Sequence, residues 1–183
     1  MQLEIRRIQR ELAITTLYVT HDQTEAMRIS DRIAIMNGGR IEQLGTAREI
    51  YAAPQTRFVA DFLGKINFIP ARLALGKGGE LVAQSPIGDV PIGPHDGLAS
   101  GTAVTLGIRP DEVELGPASG DGGFRTRGIV VERSFLGTVL ELRLRVGEGP
   151  ILVVEARADG DASEVGREVA LGWRGSRCKV FLE

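Results

Sequence analysis

Glycine and proline placement divides this chain before any other feature does. Residues 1–57 hold three of its 24 glycines and one of its eight prolines, and residues 58–183 hold all the others. Both residues interrupt helices, so a stretch nearly free of them can sustain helices and a stretch rich in them favours short strands joined by turns. The sequence therefore predicts a helix-rich first part with short strands and a second part of many short strands. The boundary falls between Phe58 and Asn67. Gly76–Gly79 reads as a turn, and Gly116–Gly123 is the most loop-like stretch. No internal repeat is visible.

In the first part, Ile5, Ile8 and Leu12 share one helical face while Arg6, Arg7 and Arg10 point elsewhere. No capping residue precedes this pattern, which begins in mid-stride at Met1. Thr15-Thr16-Leu17-Tyr18-Val19-Thr20 is β-branched and apolar and predicts a short buried strand. His21 follows directly. Asp22 is placed to cap the next helix, with Glu25 at the capping-box position. Ile33–Met36 and Arg40–Leu44 flank Asn37-Gly38-Gly39 as two strands around a tight turn. Thr46 then caps a short helix through Tyr51, with Glu49 completing its box.

In the second part, Leu140–Val146 alternates apolar and charged residues without a break, the pattern of a strand with one face in a core and one in water. Thr102–Ile108, Gly128–Ser134, Ile151–Ala156, Glu168–Leu171 and Cys178–Leu182 are further candidate strands. Short strands with glycine turns predict a small barrel of the OB-like kind.

Charge and composition exclude several classes. The 22 basic residues are offset by 24 acidic ones, a net charge of −2, where a general nucleic-acid binder carries a basic excess. Hydrophobic residues make up 43%, enough for a core rather than a disordered chain. The lone Cys178 excludes an internal disulfide and a cysteine metal cluster. No apolar run approaches the roughly 18 residues of a membrane span, and no signal-peptide pattern opens the chain. A soluble, cytoplasmic protein is expected, one that reaches a membrane only through a partner.

Two runs are more specific than any composition. Leu17-Tyr18-Val19-Thr20-His21-Asp22-Gln23-Thr24-Glu25-Ala26 and Ser30–Thr46 together resemble the C-terminal end of the nucleotide-binding domain of ABC importers. The likeness continues through Glu49-Ile50-Tyr51, Pro54 and Phe58–Gly64, and Leu106–Val113 resembles the signature of the appended regulatory TOBE domain. The subgroup it looks most like imports polyamines, ferric iron, phosphonates or similar small solutes. The resemblance implies an α/β fragment, the end of a P-loop NTPase-type ABC domain, over residues 1–57. It implies a linker at 58–66 and an all-β, OB-like TOBE barrel at 67–183. No G-x-x-x-x-G-K-[ST] phosphate loop occurs in the 183 residues, and the family's signature segment and D-loop carboxylates are absent too. They are expected upstream of Met1, in a longer protein of which this is a part.

By this resemblance the chain is the C-terminal part of the energy-coupling, ATP-hydrolysing subunit of an importer. ATP and magnesium are the cofactors implied for the full-length subunit, and neither is expected on this part alone, which lacks the phosphate loop. The implied partners are a second copy of the chain, the permease subunits and, indirectly, a solute-binding protein, at the inner face of the cell membrane. Nucleic acid is not among them. His21 is the residue carried over as catalytic: the resemblance makes it the switch-loop histidine that contacts the ATP γ-phosphate. An imidazole can donate a hydrogen bond to a transferring phosphoryl group, where catalysis is mostly positioning and electrostatics.

Other candidates are weaker. His95 and Asp96 offer too few ligands for a metal, so His95 is read as a loop histidine and no metal site is assigned. Arg109-Pro110-Asp111-Glu112 is either an ion site or a strand end turning into solvent, and the second is taken. Trp173 is expected in a core or interface. Arg143 and Arg145, with Glu141, are expected on a solvated face. A small OB-like oxyanion-binding module without an ATPase role is the alternative function. An oligonucleotide-binding OB domain ranks last, since only Phe68, Phe124, Phe135, Trp173 and Phe181 lie beyond the linker and the charge is acidic.

Overall fold

The computed structural model describes residues 2–76, 78–92, 97–116, 123–157 and 164–182. His95, Asp96, Lys77 and residues 117–122 of the glycine-rich stretch lie outside them. The chain divides into two compact units, Met1–Gly64 and Lys65–Glu183.

The first unit contains helices α1 (Gln2–Leu12), α2 (Gln23–Ile29), α3 (Ala47–Ala52) and α4 (Arg57–Phe62), with strands β1 (Ile33–Asn37) and β2 (Arg40–Gly45) between α2 and α3. The two strands form an antiparallel hairpin. Its two-residue turn uses Gly38 and Gly39 at φ of +54° and +79°, the left-handed conformation that a tight hairpin turn demands at both central positions. Thr46 caps α3 with a complete capping box: its hydroxyl accepts from the Glu49 N–H, and the Glu49 carboxylate accepts from the Thr46 N–H at 2.8 Å. Thr56 caps α4 in the simpler way, through the Val59 N–H. The unit's core is small. Ile35 of the hairpin, Ile50 of α3, and Val59 and Leu63 from the α4 segment pack together, with Met27 and Ile33 against them. Buried Gln43 spends its amide on the turn after α3, donating to the Ala53 carbonyl at 3.0 Å and accepting from the Gln55 N–H at 2.9 Å.

One expected strand is missing. Thr15–Thr20 forms no regular structure, and Leu17 and Val19 are 90% and 87% exposed. A β-prone segment becomes a strand only when another strand takes up its backbone hydrogen bonds, and β1 and β2 pair with each other instead.

The second unit is the expected small all-β barrel of OB-like kind, with more strands than the sequence suggested. In chain order they are β3 (Asn67–Leu75), β4 (Leu81–Ser85), β5 (Gly88–Pro91), β6 (Ala103–Ile108), β7 (Glu114–Leu115), β8 (Gly123–Phe135), β9 (Val139–Arg145), β10 (Ile151–Arg157), β11 (Glu168–Arg174) and β12 (Lys179–Leu182). They form two antiparallel sheets of five strands, ordered β12-β6-β3-β4-β5 and β10-β9-β8-β11-β7. Ile69, Leu73, Leu106 and Ile108 from the first sheet share one buried cluster with Leu142, Leu144, Leu152 and Trp173 from the second. The alternating strand behaves as its pattern requires: Leu140, Leu142 and Leu144 are buried, while Arg143 and Arg145 are exposed. Trp173 lies in the core, as expected, its ring 4.5 Å from that of Phe124.

Strand β3 was hidden by Pro70, which lacks the N–H that a central strand must donate. Strand β4 pairs with β3 only from Arg72 to Leu75, so Pro70 sits on the stretch that β4 does not reach. On its other side β3 pairs with β6 from Asn67 to Arg72.

Candidate functional site

His21 lies on an exposed bend immediately before α2. Its neighbours on both sides are tied. The Thr20 hydroxyl accepts a hydrogen bond from the Asp22 N–H at 3.0 Å, a side-chain turn that spans His21. The same hydroxyl donates its own hydrogen to the Glu25 carboxylate at 2.9 Å. The Tyr18 hydroxyl donates to the same Glu25 oxygen at 3.2 Å, and the Gln2 amide of α1 donates to the other at 3.1 Å. Asp22 in turn caps α2 by accepting from the Glu25 N–H at 3.0 Å.

The capping-box expectation at Asp22 is therefore half met. The Asp22 cap forms, but the Glu25 carboxylate turns toward Thr20, Tyr18 and Gln2 instead of returning to the Asp22 N–H, which Thr20 has taken. The charge distribution follows from these bonds. Donation from Thr20, then from Gln2, holds the Glu25 carboxyl below the usual carboxylate range. The hydrogen bond to Glu25 pushes the Tyr18 phenol up. Helix α1 is also tied to the far end of α2: Arg6 donates to the Arg28 carbonyl at 2.6 Å and to the Asp31 carboxylate at 3.2 Å.

The turn thus presents an exposed imidazole on a backbone held from both sides, an arrangement able to place one hydrogen-bond donor against a phosphate oxygen. It supplies no cradle for a triphosphate. The 183 residues contain no phosphate-loop motif.

The other candidates do not converge. Arg109 donates to the Lys65 carbonyl at 3.1 Å, Pro110 is buried at the start of a short 3₁₀ turn, and Glu112 pairs with Arg177 at 3.1 Å. These residues end β6 and carry the chain into β7. Glu141, expected on a solvated face, has a side chain only 14% exposed and holds the Lys65 ammonium, whose pKa it raises. Lys65 also lies 3.8 Å from Glu155. Among the described residues no group of three or more His, Cys, Asp or Glu is arranged to hold a metal. Sequence reasoning missed the gathering role of Glu25, because three of its side-chain contacts are set by how a bend folds and how α1 docks.

Residues 106–181 match the TOBE domain family. The spermidine/putrescine import ATP-binding protein PotA of Acidothermus cellulolyticus is 44% identical over 180 residues, covering 95% of this chain and 47% of that protein. The chain matches the C-terminal part of TOBE-bearing ATP-binding subunits of ABC importers. The chain spans about half the length of the curated relatives it matches and corresponds to their C-terminal part. The sn-glycerol-3-phosphate import ATP-binding protein UgpC of Chromohalobacter salexigens is 41% identical, over 99% of this chain and 48% of that protein. The sulfate/thiosulfate import ATP-binding protein CysA 2 of Chromobacterium violaceum is 40% identical, over 84% and 40%. The cytoplasmic molybdate-binding protein ModG has the same fold over 64% of this chain and 96% of its own, with a TM-score of 0.56 and 14% identity. No helix among the described residues is long and apolar enough to cross a membrane.

Proposed function

We propose that this chain is the switch-histidine and TOBE-bearing part of the ATP-hydrolysing subunit of an importer for a small solute. The observation that carries the reading is the exposed His21 on its tied bend, within a chain 44% identical to an import ATP-binding protein. In the intact subunit, His21 donates a hydrogen bond to the γ-phosphate of ATP, and ATP and magnesium are the cofactors. The phosphate loop that holds them is supplied outside these 183 residues. Residues 67–183 form the regulatory TOBE domain, residues 1–57 the end of the nucleotide-binding domain, and 58–66 the connection. The partners are a second copy, the permease subunits at the cytoplasmic face of the membrane and, through them, a solute-binding protein.

Relatives named for a polyamine, a phosphate ester and sulfate are 44%, 41% and 40% identical to this chain. Such even identity across solutes of opposite charge supports a role in the step these importers share, ATP-driven coupling, with solute choice made in other subunits. The alternative, an oxyanion-binding module without ATPase role, has the fold of ModG in its favour. Calorimetry with molybdate tests it, and tight binding would support it.

The deciding experiment is His21→Ala in the intact subunit. ATP binding is expected to persist while most hydrolysis is lost, because the phosphate contact strengthens in the transition state. Equal losses of ATP affinity and turnover would contradict the reading. The 183-residue chain alone is expected to release no phosphate from millimolar ATP with magnesium.

A further inference from the structure

We propose that Glu25 is the positioning residue of the His21 bend: its carboxylate locks the backbone on both sides of the histidine and so sets where the imidazole points. The proposal rests on the reading of His21 as the nucleotide contact and goes beyond it.

The geometry is a relay. The Asp22 N–H donates to the Thr20 hydroxyl, and that hydroxyl donates onward to Glu25. A hydroxyl that donates to a charged oxygen has its own rotor fixed and its lone pairs aimed, so it becomes a better acceptor for the Asp22 N–H. Tyr18, three residues before His21, is held by the same oxygen. Gln2 fixes the second oxygen and so ties the carboxylate to α1. His21 itself is exposed, and packing alone does not define its place. Three separate donors share the one carboxylate.

The substitution that isolates this role is Glu25→Ala. The Asp22 cap uses the backbone N–H of residue 25, which alanine keeps, and alanine has the higher helix propensity. Only the carboxylate contacts disappear. Glu25→Gln keeps an oxygen for Thr20 but turns a donor toward Gln2, so it serves as a partial replacement.

Two measurements test the proposal. In the 183-residue chain, amide hydrogen exchange is followed by NMR, with the ring signals of the two histidines as local reporters. Glu25→Ala is expected to speed exchange of the Asp22 amide by roughly threefold to tenfold, with α3 amides unchanged and Glu25→Gln in between. In the intact subunit, Glu25→Ala is expected to lower kcat for ATP hydrolysis roughly tenfold or more while leaving KM within about twofold. Adding it to His21→Ala should cost nothing further. Unchanged Asp22 exchange in both variants overturns the proposal, whatever His21 does. A full additional loss in the His21→Ala background also overturns it, since Glu25 would then act elsewhere. If His21→Ala leaves hydrolysis intact, the underlying reading fails and the positioning role in hydrolysis falls with it. The exchange result separates that failure from a failure of the bend.

Discussion

The side-chain amide of Asn67 acts as a strand for Val153. Its Nδ2 donates to the Val153 carbonyl at 2.8 Å, and its Oδ1 accepts from the Val153 N–H at 2.7 Å. Strand β10 is the edge of its sheet, and Val153 turns both backbone groups away from β9 toward this amide. Asn67 opens β3 in the other sheet, so one side chain blunts an exposed edge and joins the two sheets. The neighbouring Lys65 is held as well, its carbonyl by Arg109 and its ammonium by Glu141.

Asn67→Ala should therefore leave the part-buried N–H and carbonyl of Val153 without their partner. The expected loss is about 2–4 kcal/mol of the second unit's stability, read from denaturant unfolding followed by Trp173 fluorescence. Asn67→Asp should cost at least as much, because its second oxygen would face the Val153 carbonyl. A loss under about 0.5 kcal/mol for both would show that β10 needs no such partner.

Cys178 predicts a pH dependence at the alkaline end. Burial pushes its thiol up to about 12. A thiol held neutral in the folded state contributes fully below the unfolded-chain value of about 8.5, and that contribution drains away as pH rises toward the folded value. Stability should thus decline between about pH 9 and 12, and Cys178→Ala should flatten the decline. The comparison with Cys178→Ala is needed because Lys65 and Tyr18, whose pKa values are also raised, shift stability in the same direction there. Thiol labelling should likewise be slow in the native chain at pH 8 and fast once the chain is unfolded. Equal labelling rates in the two states would refute the buried-thiol account.

Gly128 sits inside β8 with no unusual backbone, and a strand glycine of that kind would ordinarily gain from alanine. Here a Cβ would lie 2.9 Å from a Val146 methyl, 3.1 Å from the Arg145 carbonyl oxygen and 3.3 Å from a Leu171 methyl. Gly128→Val should overpack the core and cost about 1–3 kcal/mol, measured by thermal unfolding. Gly116, whose added Cβ would meet nothing within 4 Å, is a control of a different kind: its φ of +97° makes the cost one of backbone strain.

Residues 65–183 should fold without the first unit. They hold a core drawn from both five-stranded sheets, and the Lys65, Asn67 and Arg109 contacts that anchor their first residues are all internal. A single cooperative thermal transition in that segment is the expected result. A broad, non-cooperative melt would show that the barrel depends on residues 1–64.

Sequence alone determined the features built from neighbours. The alternation of Leu140–Val146 dictated a strand with one buried face. Asn37-Gly38-Gly39 dictated the hairpin turn, Asp22 and Thr46 dictated two helix starts, and the glycine and proline shift marked a change of architecture. All but the last depend on spacings of two to four residues, where side-chain direction follows from backbone geometry. Tertiary structure decided the rest. Thr15–Thr20 has every local mark of a strand and is none, because strand identity requires a partner's hydrogen bonds. Pro70 disguised β3, because the harm a proline does depends on which edge its missing N–H faces. The Glu25 carboxylate left its local capping partner for Thr20, Tyr18 and Gln2, and Gln2 lies 23 positions away. Asn67 found Val153 across 86 positions. Buried or crowded polar groups take whichever partner the folded chain brings within hydrogen-bond distance, and no spacing in the sequence records that choice.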